Sequence, residues 1–279
     1  MRYHLAHIIP DPRMHGLNGY KEVIDTVAWG LEQLGHQVSY GINQIVADAR
    51  NVVFGGQLLG ESEIGRVPPT TIFYNFEQLN PLWKPGDRYE AYASKFQIWD
   101  YSPFNLTSWN RAEPRLPVKI VPVGFAPVLV RIPPAAVQDI DVLIYGLPNQ
   151  WRLGAFSELA MRGLSCMFFS GLYGPGRDGL IARSKIVLNV SLYTEERIFE
   201  VVRVSYLMAN RKAVVAHIDA GAKIDEDLAS GVKVASRETL IADVVALARD
   251  EAARADLGQR AFEAISRREI VPILQRALS

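Results

Sequence analysis

The first part of the chain alternates between apolar runs typical of strands and apolar stripes typical of helices. Residues 3–9, 'YHLAHII', form a strand-like run that stops at Pro10. The next segment has apolar residues four, four and three positions apart, the stripe of a helix packed on a sheet: Val23, Val27, Leu31 and Leu34. Gly35 ends this predicted helix, and 'HQVSYG' begins another strand. This strand–helix–strand order is the building block of a parallel sheet.

The same alternation continues and then restarts after a joint. Four more short runs predict strands in the first half: 'NVVFGG', 'TTIFYNF', 'FQIWDYS' and 'VKIVPVGF'. Residues 126–138 are rich in proline and predict a linker, because proline cannot donate a hydrogen bond in a central strand. Beyond them, helical segments separate three more predicted strands: 'DIDVLIYG', 'SCMFFSG' and 'KIVLNVSL'. We therefore predict an α/β chain of two Rossmann-like domains facing across a cleft, residues 1–127 and residues 128–279, the second ending in helices.

One later stretch combines an apolar helical pattern with two opposite charges. Residues 197–217, 'RIFEVVRVSYLMANRKAVVAH', predict a helix followed by a buried strand that begins at Ala213. Glu200 and Arg203 lie one helical turn apart in this run. The pair is either an exposed ion pair worth about 0.2–0.5 kcal/mol, or a polar pair that points into a crevice where a ligand binds.

Composition restricts the classes of function. The chain has 279 residues with 30 basic and 30 acidic side chains, and this zero net charge argues against gripping nucleic acid by bulk electrostatics, though a local basic groove stays open. The single cysteine, Cys166, cannot form an internal disulfide, which suits a reducing compartment. No apolar run approaches the roughly 20 residues of a membrane span, and the N-terminus does not resemble a secretory signal. We expect a cytoplasmic protein with no integral membrane segment.

Several common motifs are absent from the sequence. It contains no P-loop, no H-E-x-x-H, no C-x-x-C and no G-x-S-x-G elbow. These absences count against classical ATPases and structural zinc sites. We therefore expect neither a cofactor nor a bound metal.

Ligands of parallel sheets bind beyond the carboxyl ends of the strands, and this rule selects candidate residues in the first domain. The candidates for catalysis are Glu77, His15 and Asp100. Histidine suits deprotonation of a hydroxyl near neutral pH, whereas Glu77 is either a general base or a cap of the next segment. The loop 'HGLNG' offers Gly16 and Gly19, which either let backbone N–H groups approach an anion or form a tight turn.

The same rule selects ligand-binding candidates in the second domain: Gly146, Arg152, Asn189, Tyr193, Glu200 and Arg203. Asn189 interrupts an apolar strand, so it is either a satisfied core amide or a site residue. Arg152 is predicted in the first turn of a helix, where the helix dipole disfavours a cation. A bound anion would remove that objection.

Three segments together resemble a known family: 'DVLIYGLPNQWR', 'GLYGPGRDGLIARSKIVLNVSLY' and 'RIFEVVRVSYLMANRKAVVAH'. They are similar to the C-terminal domain of GT-B fold glycosyltransferases of the bacterial and phage type called glycosyltransferase family 1-like. The resemblance covers about residues 139–217. The first half is similar more loosely, through 'GLNGYKEVIDTVAWGLEQLGHQV'.

The resemblance implies a nucleotide-diphosphate sugar held mainly by the second domain, an acceptor held mainly by the first, and no obligatory metal. Carried across by position, Arg152 would contact the diphosphate and Glu200 would accept hydrogen bonds from the ribose hydroxyls. Arg203 would orient Glu200 or reach a phosphate. Many retaining members have two glutamates seven residues apart, whereas here Glu195 and Glu196 precede Glu200 by only five and four positions. Retention or inversion at the anomeric carbon therefore stays open.

The function expected from these residues is transfer of a sugar to an acceptor hydroxyl. The acceptor classes are a glycan, a lipid-linked sugar or a hydroxymethylated base in DNA, and the last needs a basic groove such as Arg111, Arg115 and Lys119 would begin. Two alternatives remain: a nucleotide-sugar epimerase of the same architecture, and a non-catalytic module that binds a nucleotide or a glycan.

Overall fold

Parallel strands build both sheets of the protein. A computed structural model describes residues 1–279 except residues 12, 14, 80–91, 93, 110–117, 193–197 and 219–220, and it leaves the side chains of residues 15–17 and 61 undescribed. The chain forms two compact units, Met1–Ala126 together with Glu269–Ser279, and Pro127–Arg268. The division after Ala126 falls within the proline-rich joint.

The first unit contains a six-stranded parallel sheet with the order β2-β1-β3-β4-β5-β6. Its strands are β1 Arg2–His7, β2 Gln37–Ile42, β3 Arg50–Phe54, β4 Ile72–Asn75, β5 Gln97–Asp100 and β6 Val118–Ile120. Helices of this unit are α1 Lys21–Gln33, α2 Glu61–Ile64 and α3 Leu106–Trp109, with short 3-10 helices at His15–Tyr20, Gly56–Leu58 and Pro103–Asn105. The central strands β3 and β4 are buried almost throughout, as their continuous apolar runs predict for a sheet covered on both faces.

The second unit contains a five-stranded parallel sheet with the order β11-β10-β9-β7-β8. Its strands are β7 Ile140–Tyr145, β8 Cys166–Phe169, β9 Ser184–Val190, β10 Ala213–His217 and β11 Lys233–Ala235. Its helices are α4 Gln150–Met161, α5 Pro175–Arg183, α6 Val201–Ala209, α7 Glu226–Ala229, α8 Leu240–Arg249 and α9 Glu251–Ser266, and a 3-10 helix spans Pro127–Leu129. None of the helices in the described part of the chain combines the length and the apolar character that a bilayer crossing requires.

Alternation along β9 directs consecutive side chains to opposite faces of the second sheet. Val190 belongs to the apolar core that includes Ala155 of α4 and Leu240 of α8. The residue before it, Asn189, points to the other face, where its Oδ1 accepts a hydrogen bond from Arg203 Nη1 of α6 at 3.0 Å. The two faces therefore carry different groups at the same edge of the sheet.

The last helix, α10 Ile270–Leu278, packs on α1 of the first unit. Gly30 of α1 permits this contact, since a Cβ atom there would lie 2.7 Å from Leu274 Cδ1. The backbone N–H of Ile270 donates to Phe125 O at 3.0 Å, and Lys119 Nζ donates to Ala277 O at 2.9 Å. The predicted boundaries assign residues 269–279 to the second domain, whereas these contacts join them to the first unit.

Gly258 of α9 tests how closely the elements of the second unit pack. A Cβ atom at this position would lie 2.2 Å from the backbone oxygen of Arg211, which ends the turn before β10 with a positive φ of 52°. Glycine to alanine in a helix normally stabilises by about 0.5–1 kcal/mol. We expect Gly258→Ala instead to lower the free energy of unfolding by about 1–3 kcal/mol, because backbone must move.

Gly179→Ala in α5 is the matched control, since nothing lies within 4 Å of its Cβ position. Urea unfolding followed by circular dichroism compares both variants with the wild type. Equal stability of Gly258→Ala and Gly179→Ala would contradict the close approach of α9 to Arg211.

Candidate functional site

The carboxyl edge of the second sheet begins with a turn that only glycine fits. Gly146 follows β7 with a φ of +123°, a conformation that side chains rarely adopt. A Cβ atom there would lie 2.8 Å from Arg152 Nη1 and 2.9 Å from Arg203 Nη2. Gly146 therefore leaves room for two guanidinium groups beside the end of β7.

Asn149 then starts α4 and fastens it to the end of β9. Its side-chain oxygen caps the helix by accepting from the backbone N–H of Arg152 at 2.8 Å. Its amide nitrogen donates to Ser191 O at 3.1 Å and to Leu192 O at 2.7 Å. One amide thus connects the loops that follow two neighbouring strands.

Arg152 lies in the first turn of α4 with only 1% of its surface exposed. Nε donates to Val190 O at 2.8 Å, Nη1 to Leu147 O at 2.8 Å, and Nη2 to Glu200 Oε1 at 3.1 Å. A buried cation is tolerated only when it is paired and hydrogen-bonded, and here both conditions are met. Arg152, which is predicted to contact a diphosphate, donates these hydrogen bonds to groups of the protein itself.

Glu200 immediately precedes α6, which begins at Val201, so the helix predicted from residue 197 starts later than expected. Its Oε2 lies 2.6 Å from Arg203 Nη1. No hydrogen-bond donor of the described residues is aligned on Oε2, so this contact is an ion pair set by distance rather than a hydrogen bond. The side chains of Glu200 and Arg203 are 18% and 22% exposed, which rules out the interpretation as a fully solvated surface pair.

Part of the Arg203 guanidinium makes no hydrogen bond to the described residues. Nη1 makes both polar contacts, to Asn189 Oδ1 and to Glu200 Oε2, and the group lies 5.1 Å from the centre of the Tyr145 ring. Within the described part of the chain, no acceptor is hydrogen-bonded to its Nε or Nη2. A partly exposed guanidinium with unused donors, next to a carboxylate, can bind an anion and a hydroxyl side by side.

All but one of the predicted donor-site residues therefore lie together at the carboxyl edge of the second sheet. Gly146, Arg152, Asn189, Glu200 and Arg203 lie together, and Tyr193 lies outside the described residues. Asn149 and Tyr145 also belong to this cluster, and of these two Tyr145 was not selected from the sequence. The helix-capping position of Asn149, three residues before Arg152, was the available signal.

Asp100, at the end of β5 in the first unit, is fully buried. Its carboxylate accepts hydrogen bonds from Trp109 Nε1 at 2.6 Å, from the backbone N–H of Ser102 at 2.8 Å, and from the amides of Asn75 and Asn105. Burial raises the pKa of Asp100 to about 6, against the lowering effect of these donors. This side chain organises the interior beneath the sheet edge, so the placement does not suit the catalytic role predicted for it.

Glu77, after β4, lies nearer the surface of the same edge. Its Oε1 accepts from Tyr20 Oη at 2.6 Å and from Gln57 Nε2 at 3.0 Å. Burial raises the pKa of Glu77, and the hydrogen bond from Tyr20 opposes that rise. Neither Tyr20 nor Gln57 was selected from the sequence, because their only link to Glu77 is spatial.

The other first-domain candidates are only partly described. The 3-10 helix His15–Tyr20 contains His15, Gly16 and Gly19, and it leads into the Tyr20 that contacts Glu77. The side chain of His15 lies outside the described residues. In the described ranges, no three His, Cys, Asp or Glu residues gather in a way that could hold a metal ion.

Asp100→Asn tests the buried network through its pH dependence. Because the pKa is near 3.8 in the unfolded chain and about 6 in the fold, the folded state retains the proton more strongly between these values. The contribution of Asp100 is therefore complete below pH 3.8 and is lost as the pH rises through about 6. We expect the Asn variant to lose this dependence, and to unfold about 1–3 kcal/mol more easily because its NH₂ group meets donors.

Urea unfolding at a series of pH values measures both effects. Asp48→Asn, at an exposed residue paired with Arg2, is the control and should keep the wild-type profile. If wild type and Asp100→Asn show the same pH dependence, the raised pKa is wrong.

Comparison with known proteins identifies the fold. No family model matches the sequence, and no curated protein matches it. AviGT4, a glycosyltransferase involved in avilamycin A biosynthesis, superposes with a TM-score of 0.63 at 16% identity, covering 100% of this chain and 96% of its own. HepE of Anabaena, in complex with UDP and glucose, has a TM-score of 0.62 at 15% identity over 100% and 98% of the two chains.

WaaG, a glycosyltransferase involved in lipopolysaccharide biosynthesis, has a TM-score of 0.59 at 11% identity over 99% and 98%. At these identities a likeness establishes the fold alone. The two parallel α/β units and these structural neighbours agree with the predicted architecture. The chain has the GT-B fold of glycosyltransferases, built from two Rossmann-like domains.

Proposed function

We propose that this protein is a glycosyltransferase that moves a sugar from a nucleoside-diphosphate donor to an acceptor hydroxyl. The observation that carries the proposal is the cluster of Arg152, Glu200 and Arg203 at the carboxyl edge of the second sheet. In parallel α/β sheets, this edge is where ligands bind. HepE, a structural neighbour, was crystallised with UDP and with UDP-glucose, which supports a uridine nucleotide as the first donor to test.

In the proposed donor site, Arg203 binds the diphosphate through its unused donors, and the carboxylate of Glu200 accepts hydrogen bonds from the ribose hydroxyls. Arg152 acts through Glu200, because its own guanidinium is buried and holds Oε1 at 3.1 Å. This division differs from the one expected from the resemblance, which gave the diphosphate to Arg152. Asn189 orients the guanidinium of Arg203 by accepting a hydrogen bond from it.

In the proposed reaction, the acceptor oxygen attacks the anomeric carbon of the sugar. The bond from that carbon to the terminal phosphate oxygen breaks, and the nucleoside diphosphate leaves with the electron pair. Positioned donors stabilise the negative charge that develops on the leaving group, and we assign this work to Arg203 without a metal ion. The acceptor hydroxyl loses its proton as the new bond forms.

We assign proton removal to Glu77 in the first unit. One of its oxygens is engaged by Tyr20 and Gln57, and the other is left to accept from an acceptor hydroxyl. A raised pKa suits a general base, since the best catalytic pKa lies near the working pH.

The acceptor classes remain a glycan, a lipid-linked sugar and a hydroxymethylated base in DNA. Of the three cations considered for a basic groove, Lys119 binds the carbonyl of Ala277 and is engaged in holding α10. Arg111 and Arg115 lie outside the described residues. We further assign the protein to the cytoplasm, since a chain with one cysteine needs no oxidising compartment.

Nucleotide binding and turnover test the proposal in two steps. Thermal unfolding with UDP, GDP, ADP or CMP identifies the base, because a ligand at 100 times its Kd adds about 2.7 kcal/mol to stability. Incubation with the matching nucleotide sugars then separates the functions. Slow hydrolysis to sugar and nucleoside diphosphate supports a transferase, whereas interconversion of sugars indicates an epimerase and binding without turnover indicates a non-catalytic module.

Arg203→Ala should weaken binding of the nucleoside diphosphate by roughly tenfold to a hundredfold, because a hydrogen bond to a charged group is worth about 1.5–3 kcal/mol. Isothermal titration calorimetry measures the affinity. The control is Arg183→Ala, which removes an exposed arginine of the same unit that pairs with Asp139. Unchanged affinity in Arg203→Ala would remove this residue from the donor site.

Glu77→Gln should lower the transfer rate by about 10²–10⁴-fold and leave the affinity for the nucleoside diphosphate unchanged, since the donor binds the other unit. The wild-type rate should rise with pH through the raised pKa of Glu77, and the variant should lack this rise. Glu32→Gln, at an exposed position of α1, is the control. A rate equal to the wild type would exclude Glu77 as the base.

A further inference from the structure

A cavity lies within the second unit, between α4 and α8. Its volume is about 230 Å³. Ser191, which follows β9, and His217, which ends β10, form its boundary at the carboxyl edge of the sheet. Val190 and His217 are paired across the two strands. The cavity therefore opens at the edge where α/β sheets bind ligands.

This cavity and Arg203 of the proposed donor site lie on opposite faces of the sheet. Val190 lines the cavity and packs with residues of α4 and α8. Asn189 points the other way and bonds Arg203. None of the residues assigned to the donor lines the cavity, so it is a separate site.

An aromatic face and an apolar wall form one side of the cavity. Trp151, in the first turn of α4, is 38% exposed and carries the guanidinium of Arg237 at 3.6 Å from its ring centre. Ala155 and Leu240 supply buried apolar surface beside it. Stacking with Arg237 restricts the motion of the indole.

Polar groups of several kinds complete the lining. Glu158 supplies a half-exposed carboxylate, which also accepts a hydrogen bond from Arg162. Ser191 supplies a hydroxyl and His217 an imidazole. Together with Arg237, the lining contains one carboxylate and one guanidinium, so its formal charges balance. Glu158 would repel a bound anion, and Arg237 would repel a bound cation.

We propose that this cavity binds one neutral pyranose ring of a carbohydrate. A cavity of about 150 Å³ holds benzene, so about 230 Å³ accommodates a single six-membered ring with substituents. A pyranose has C–H faces that pack on Trp151 and the apolar wall. Its equatorial hydroxyls both donate and accept, which matches the mixed set of carboxylate, imidazole, hydroxyl and guanidinium. A lining with few polar groups on a mainly apolar pocket is the usual form of a small-molecule site.

The test observes Trp151 directly in the full chain labelled with 5-fluorotryptophan. The ¹⁹F spectrum of Trp151→Ala identifies the Trp151 resonance by its absence. Methyl glucoside, methyl galactoside and methyl mannoside are then titrated separately, in the absence of nucleotide. We expect at least one of them to shift the Trp151 resonance saturably. The result does not depend on the proposed transferase activity, since no donor is present.

Ligand-observed saturation transfer supplies the second measurement. Transfer to the responding glycoside should fall at least roughly tenfold in Trp151→Ala and persist in Leu153→Ala, which removes an exposed apolar residue of the same helix outside the cavity lining. Circular dichroism checks that both variants fold. Inorganic phosphate and adenosine are titrated in the same way. The proposal is overturned if no glycoside shifts the Trp151 resonance saturably, or if only phosphate or adenosine shifts it.

Discussion

The arrangement at the carboxyl edge of the second sheet depends on the buried charge of Arg152. Removing a cation from water costs several kcal/mol unless partners compensate, and here two backbone carbonyls and Glu200 do so. The carbonyls belong to Val190 and Leu147, so the one guanidinium ties the end of β9 to the turn after β7. Its third bond fixes Glu200 at the start of α6. Three segments distant in sequence are thereby held in one arrangement. Arg203 contacts Glu200 within this arrangement.

The first unit solves a related problem with the opposite charge. Asp100 is buried and shares its donors with the backbone around Glu77, because the amides of Asn75 and Asn105 bond both Asp100 and the Glu77 carbonyl. The buried carboxylate of Asp100 therefore helps to fix the backbone position of Glu77. Burial raises the pKa of both groups, yet of the two only Glu77 has a carboxylate oxygen that accepts no hydrogen bond from the described residues. Environment, rather than residue type, therefore distinguishes the two carboxylates.

The periodicity of the sequence was sufficient to predict both parallel sheets, since strands buried on two faces read as continuous apolar runs. It could not predict that α10 returns to the first unit, because an apolar stripe does not say which surface it covers. The same limit applies to sites. Helix-dipole reasoning asked for a bound anion beside Arg152, whereas the carboxylate that bonds this guanidinium belongs to Glu200, 48 positions along the chain. Likewise nothing local joins Gln57 or Tyr20 to Glu77.

Strand register links the proposed donor site to the cavity beside Trp151. A slip of one residue in β9 would exchange its faces, placing Asn189 in the apolar core and Val190 beside Arg203. A buried amide without partners and a guanidinium without its acceptor would both be unfavourable. The pairing of Val190 with His217 and of Asn189 with Ala216 therefore fixes the Arg203 side and the Trp151 side together. A change that loosens β9 would disturb both faces, and so would a change in α4, because this helix contributes Arg152 to the Glu200 cluster and Trp151 to the cavity.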